Sequence, residues 1–456
     1  MNPTPVILIF DIGKTNKKVF LIDETYQIVM ERSVKFAEIQ DEDGFPCDDV
    51  NAITIWVRET LLELMEWEDY SIRAINYSAY GASFVHIGES GNPVTPLYNY
   101  LKPCPPGIRE ILYQQYGGEV SLSVETASPV LGNLNSGIQL YTLREKNPEI
   151  FNTIAYSLHL PQYISYLITG KPVSEITSIG CHTLLWDFVR QTYHTWVTEN
   201  KLDHKFPLIH PSDSVSDLTI HGKLLKSGVG LHDSSAALIP YLQKFTEPFI
   251  LLSTGTWCIS MNPFNEEPLT KDELIRDCLC YLGFRGKPVK ASRLFAGHEH
   301  EQAIKRLAIH FHLPLHFYEQ IDFEPALFFA MQNQHETTRI ETGLHTSAFS
   351  NRELSSFTSY TEAYHQLVFD IIRQQQIATE LVFSNRRIQY LYVDGGFAHN
   401  SLFMYMLATA FPAMEVFAAN VSQASAIGAA LAIHRHWNPM SVPDDLISLK
   451  KYEPVK

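Results

Sequence analysis

Cysteine is scarce in this chain and follows no pattern: Cys47, Cys104, Cys181, Cys258, Cys278 and Cys280 are scattered without a CxxC pair. That argues against a zinc ribbon and against a disulfide framework, and it suits a reducing cytoplasm. Long apolar runs are also missing; none approaches the roughly 20 residues of a membrane span. Positive charge is in deficit, with 35 Lys and Arg against 50 Asp and Glu and a net charge of −15. Such a surface repels phosphate backbones and anionic lipid, so neither nucleic acid nor membrane is the expected partner. Residues 1–5 carry no Lys or Arg, and Asp11 closes the first apolar run early, which is not the layout of a leader peptide. No low-complexity block, heptad run or solenoid repeat interrupts the chain. What is there is globular: 456 residues, 45% hydrophobic and 19% charged, too long for one ordinary core and expected to form two or three domains.

Along the chain, residues 6–10 and 18–22 read as buried strands joined by a hairpin, Gly13-Lys14-Thr15-Asn16-Lys17. From Val50 to Met65, Ile53, Val57, Leu61, Leu64 and Met65 recur at helical spacing, ahead of a strand at 72–77. Helical patterns follow at 136–146 and 161–168, the second ending on Gly170, a residue suited to a helix C-cap. A new strand begins after Thr246-Glu247-Pro248, which places the boundary between domains 1–246 and 247–456. There the opening is echoed: strand 249–252, a Ser253-Thr254-Gly255-Thr256 turn, and strand 257–261. A strand at 388–393 runs into Asp394-Gly395-Gly396, helix 400–410 follows, and 422–434 reads as a small-residue helix able to approach a neighbour's backbone through Gly428.

Gly13-Lys14-Thr15 ends like a nucleotide-binding P-loop, but that loop needs a glycine five residues earlier, where this chain has Leu8 inside a strand. The hairpin nonetheless offers free backbone amides together with Lys14, Thr15, Asn16, Lys17 and Lys18, and Asp11 could hold a hydrated Mg²⁺. A solvated turn is the plain alternative. The second turn, with Gly255 and Thr256, makes a two-sided phosphate clasp conceivable. Gly395-Gly396 permits close approach to a ligand, or is simply a tight strand-to-helix turn. In His232-Asp233-Ser234, the carboxylate is either a helix N-cap or a proton acceptor. Gly297-His298-Glu299-His300-Glu301-Gln302 begins like a zinc-protease helix, but Gln302 occupies the second metal position and argues against it.

In this order, "FDIGKTNKK", "HDSSAA", "STGTW" and "VDGGFAHN" resemble the motifs of the FGGY family of carbohydrate kinases, in its rhamnulokinase and fuculokinase branch. The resemblance implies an α/β fold of two ribonuclease-H-like domains of the actin/hexokinase superfold around a central cleft. It implies ATP and Mg²⁺ as cofactors, a small sugar as the other partner, and it is compatible with a homodimer. Asp233 would match the general base, with His232, Ser234 and Gly81 at the sugar. Gly13, Lys14, Thr15, Asn16, Lys17 and Lys18 would match the first phosphate turn, Gly255 and Thr256 the second, and Asp11 the metal-associated carboxylate. Gly395, Gly396 and Asn400 would line the adenosine pocket, with Gln302 near ATP.

Three positions depart from the family pattern. The usual Asp-x-Arg is Tyr100-Leu101-Lys102-Pro103, the usual Pro-Asp is Pro161-Gln162, and a usual Glu is Gln423. Two of these lie in the half expected to recognise sugar, so they bear on which sugar is used more than on the reaction. The expected activity is ATP-dependent phosphorylation of a ketose, with a 6-deoxy-ketohexose such as L-rhamnulose or L-fuculose favoured. The alternatives are a xylulose or ribulose kinase, and a non-catalytic sugar or nucleotide sensor on the same fold.

Overall fold

Two seven-stranded sheets built on the same plan organise the chain in the computed structural model, which describes residues 3–337 and 348–455. In the first, Thr4–Ile12 pairs antiparallel with Lys17–Asp23, which pairs antiparallel with Ile28–Val34; on its other side Thr4–Ile12 runs parallel to Tyr70–Ala79. In the second, Phe249–Thr254 pairs antiparallel with Cys258–Asn262, then Pro288–Leu294, and runs parallel to Tyr390–Gly395 on its other side. Each half therefore starts with a hairpin whose turn lies at the same end of the sheet as the following parallel strand.

Local chemistry accounts for the elements that place these turns. Asp49 caps helix Val50–Met65 by accepting from the amides of Asn51 and Ala52, and the buried stripe is the one the spacing predicts. Helix Leu160–Thr169 carries Pro161 in its first turn and ends on Gly170 at φ 67°, a left-handed residue that costs glycine nothing. The strand ends lie within two residues of those read from sequence: Lys17 belongs to the second strand, Trp257 stays in its turn, and the small-residue helix covers Ala424–Ala432. Helices Ala296–Phe311 and Tyr360–Glu380 carry no strong sequence signal beyond amphipathic spacing and were not expected. Both cover one face of the second sheet.

The other faces of the two sheets share one core. Ile7, Ile9 and Phe20 from the first sheet and Leu251 and Tyr392 from the second pack on Leu238, Ile239, Ala426 and Leu431. Those last four come from two helices, Asp233–Lys244 and Ala424–Ala432, one from each half of the chain. The two cross so closely that a Cβ on Gly428 would lie 1.8 Å from the Ala236 carbonyl oxygen. Asn76, buried in the first sheet, donates to Ala429 O (2.8 Å) and accepts from Gly230 N, tying the strand, the loop before Asp233 and the second half together. Among the described residues no helix is long and apolar enough to cross a membrane, and all six cysteines are free.

Candidate functional site

The short strand Leu231–His232 runs parallel to Tyr70–Ala79 and hands over directly to the helix that Asp233 begins. Asp233 is therefore the first helical residue rather than the N-cap, which is His232. Its Oδ1 accepts from the Ser234 amide (2.6 Å) and hydroxyl (3.1 Å), which orients the carboxylate. Enclosure by protein pushes its pKa up to about 6, although 35% of the side chain stays open to the cleft. A carboxylate so placed is a poised proton acceptor near neutral pH.

The loop entering Asp233 is held from three sides. Gly230, at φ 82°, lies against the Pro161 carbonyl, and Gln162 Nε2 donates to Gly230 O (2.9 Å). Gln162, at the position where the family pattern has an acid, is thus engaged with backbone. Gly81 lets the His232 ring come close: a Cβ there would sit 2.9 Å from Cδ2. His232 is buried, its Nε2 3.2 Å from both Cys181 Sγ and Asp233 Oδ1, and burial lowers its pKa to about 4, so the ring is neutral. Gly81 and His232, expected at the sugar, form the packed wall behind Asp233. His232 still lines the cavity in front.

That cavity has a volume of about 620 Å³. Tyr100, Leu134, His182, Asp233 and Ser234 line it from the first half, and Ser253, Trp257, Arg293 and Ser425 from the second. A second cavity of about 570 Å³ is lined by Thr254, Gly255, Gly297, His300, Tyr318, Gly396 and Asn400. The two meet at the segment Ser253-Thr254-Gly255, whose first residue faces one cavity and whose next two face the other. Two glycines let backbone crowd there: a Cβ on Gly395 (φ 91°) would lie 2.0 Å from Thr254 O, and one on Gly297 would lie 1.8 Å from Gly255 O. Gly297 and His300 were missed as lining residues because their helix looked only like a failed zinc motif. Gln302, expected near ATP, is exposed on that helix and does not line the cavity, since it lies five residues, about 500° of rotation, beyond Gly297. Asn400 lines the cavity but also caps helix Ser401–Ala410 and donates to Tyr364 Oη (2.7 Å).

The first hairpin corrects the expectation of a cation-studded turn. Gly13 N donates to Asn16 O (2.9 Å), closing the turn, and Thr15 is exposed. Lys17 points inward instead: it is 2% exposed, and its Nζ reaches Asp48 Oδ1 (2.7 Å) and Lys14 O (2.9 Å). Lys14 is held by Asp48 Oδ2 (2.7 Å) and Glu38 (3.2 Å), and Tyr80 also donates to Asp48. Asp48 was invisible in sequence, lying 31 residues from Lys17 on a separate loop. With Lys14 and Lys17 neutralised from below, they stiffen the turn, while Lys18, the remaining lysine of the hairpin, bonds Gln423 Oε1 of the second half (3.3 Å) and Glu31 (3.0 Å). Asp11 accepts from Ser425 Oγ of the second half (2.8 Å). Burial, helped by the nearby charge of Asp233, pushes Asp11 up to about 6.

Two lobes of one topology, joined through a helix pair and enclosing adjoining cavities, define a member of the actin/hexokinase superfold. The chain belongs to the FGGY family of carbohydrate kinases: residues 6–212 match the model of the family's N-terminal domain and residues 246–314 that of a carbohydrate kinase FGGY C-terminal domain. Among curated relatives it is similar to rhamnulokinase of Halalkalibacterium halodurans, 26% identical over 187 residues, 40% of this chain and 39% of that one. It is also similar to rhamnulokinase of Bacteroides thetaiotaomicron, 27% identical over 215 residues, 43% and 42% of the two chains. The matches thus span only about two fifths of the length of these relatives. Among solved structures, a carbohydrate kinase from Novosphingobium aromaticivorans superposes with a TM-score of 0.80 at 24% identity, covering 100% of this chain and 95% of the other. Xylulose kinase from Lactobacillus acidophilus gives 0.78 at 16%, covering 99% and 94%.

Proposed function

We propose that this protein transfers the γ-phosphoryl group of ATP to a hydroxyl of a ketose, with Asp233 as general base. The observation that carries this reading is the position of Asp233: a carboxylate with a pKa of about 6 in a sugar-sized cavity that adjoins, through Ser253-Thr254-Gly255, a second cavity suited to a nucleotide. A sugar hydroxyl is a weak nucleophile, so its attack on phosphorus is assisted when a carboxylate within hydrogen-bond reach takes the proton. The oxygen–phosphorus bond forms as the bond to the ADP oxygen breaks, and the proton ends on Asp233. In this reading phosphate oxygens are received by the Thr15 and Thr256 amides, since those of Gly13 and Gly255 are used inside their own turns, and Lys18, which exchanges its contact with Glu31 for the phosphates, supplies the positive charge.

Asp11 fits a divalent ion: it is a hard oxygen donor whose ionised form is disfavoured by burial and by Asp233, a situation a cation relieves. Mg²⁺ there would offset charge on the transferring phosphates. Residues 1–246 and 247–456 act as the two lobes in this reading. Among sugars we favour a 6-deoxy-ketohexose, supported by the relatives named rhamnulokinase; a pentulose is the alternative supported by the xylulose kinase structure. The test is a ketose panel with Mg-ATP and ADP release as readout. Stimulation by at least one ketose is expected; no stimulation by any overturns the proposal, and binding of ATP and sugar without turnover replaces it with a sensor.

A further inference from the structure

The helix pair that carries Asp233 and Ser425 has a second end. Helix Asp233–Lys244 contributes Asp233, Ser234 and Ala237 to the sugar-sized cavity and, about 15 Å further on, Gln243 to a different cavity of about 760 Å³. Helix Ala424–Ala432 does the same, lining the first cavity with Ala424 and Ser425 and the other with Leu431 and Ala432. The far cavity is also a joint between halves: His210 and Asp213 face it from the first, and Arg285, Arg435 and His436 from the second.

Its chemistry is opposite to that of the chain. Across the protein Asp and Glu outnumber Lys and Arg by 50 to 35, yet this cavity is lined by two arginines against one carboxylate, Asp213, with the rings of three histidines, His434 included, beside them. Among the described residues neither arginine has an acidic or hydrogen-bonding partner; Arg285 only lies over the Phe284 ring, its CZ 5.0 Å from the centroid. Unpaired guanidinium forks present parallel N–H donors matched to a phosphate or similar oxyanion. Both helices direct their C-terminal ends here, each lending about half a negative charge. Recognition would therefore rest on these directed donors rather than on the general field. The volume is that of a cavity for a whole small molecule rather than a bare ion.

We propose that this cavity, at the joint between the halves, is a second ligand site, taking a small phosphate monoester through Arg285 and Arg435 of the second half. It does not depend on the kinase reading, because binding alone tests it. Calorimetric titration of the full chain with glucose 6-phosphate, with and without saturating Mg-ADP, is expected to show saturable binding that ADP does not displace. Glucose itself should not bind there. Arg285→Ala with Arg435→Ala should weaken binding at least tenfold with the melting temperature kept; should that pair not fold, Arg435→Gln alone should weaken it several-fold. No binding to the wild-type chain, equal binding of glucose, displacement by ADP, or unchanged binding in the arginine variants would each overturn the site.

Discussion

Gly428 lies on the carbonyl of Ala236 so tightly that a single added methyl would sit 1.8 Å from the oxygen. Because these two residues belong to helices from opposite halves, the spacing of the lobes at the base of the cleft is set by the absence of one side chain. Gly428→Ala must push the helices apart, and overpacking of this kind costs about 1–3 kcal/mol. The expected outcome is a melting temperature lowered by several degrees together with a fall in kcat, since Asp233 and Ser425 sit on the displaced helices. A variant with wild-type melting and turnover would show that the two helices are free to slide.

Asp233→Asn keeps the shape of the side chain and removes its ability to take a proton. Sugar-stimulated turnover should fall by about 10²- to 10⁴-fold, while the KM for ATP moves little because the cavity proposed for the nucleotide is lined by other residues. Thermal stability should be kept or raised, since a carboxylate whose ionisation burial opposes has been removed. Unchanged turnover would remove Asp233 from the base role.

The pH dependence follows from two groups of the same sign. Asp233 and Asp11 both have pKa values raised to about 6, so each is ionised above that value and protonated below it. In the proposed reaction both ionised forms act, so kcat/KM should be flat above about pH 7 and drop below pH 6, with a slope steeper than one proton at limiting Mg²⁺ that falls to one in saturating Mg²⁺, which holds Asp11 ionised. Stability should run the other way. Raised carboxyl pKa values mean that the folded chain holds protons the unfolded chain has released between about pH 4 and 6, so these two groups favour folding more as pH falls through that window. A pH–rate profile and a parallel series of thermal melts check both signs.

Asp48 is predicted to matter for folding and for the phosphate turn alike. Replacing it by Ala leaves Lys17 buried with no acidic partner and Lys14 with Glu38 alone, a change of about 3–5 kcal/mol by analogy with other broken buried pairs. Asp48→Asn, which retains acceptor capacity, should cost less and allow kinetics; a raised KM for ATP with a smaller effect on sugar KM is expected. Denaturant melts and the two KM values measure these effects separately.

How much of this could be read beforehand depended on range. Both hairpins, helix Val50–Met65 and the Gly170 cap were legible because apolar period and capping chemistry act over a few residues. The Asp233 segment was legible only as a choice between cap and base; the fold makes His232 the N-cap and starts the helix at Asp233 itself, and the Asp233→Asn variant tests the base. Gln302 shows the opposite failure. Its place in a motif suggested a ligand contact, yet helical rotation puts it on the exposed face while Gly297 and His300 face the cavity.

The sequence by itself determined the α/β character, the doubled strand-turn-strand plan, the net negative charge and the candidate residues for phosphoryl chemistry, since each rests on composition or on contacts within a few positions. Tertiary structure alone decided which charges are available for chemistry. Lys14 and Lys17 are consumed by Asp48, Asp11 and Asp233 are driven upward by burial, and Asp233 meets the second lobe through Gly428 on Ala236. Burial and pairing between residues tens to hundreds of positions apart depend on the folded path of the chain, and no local pattern carries them.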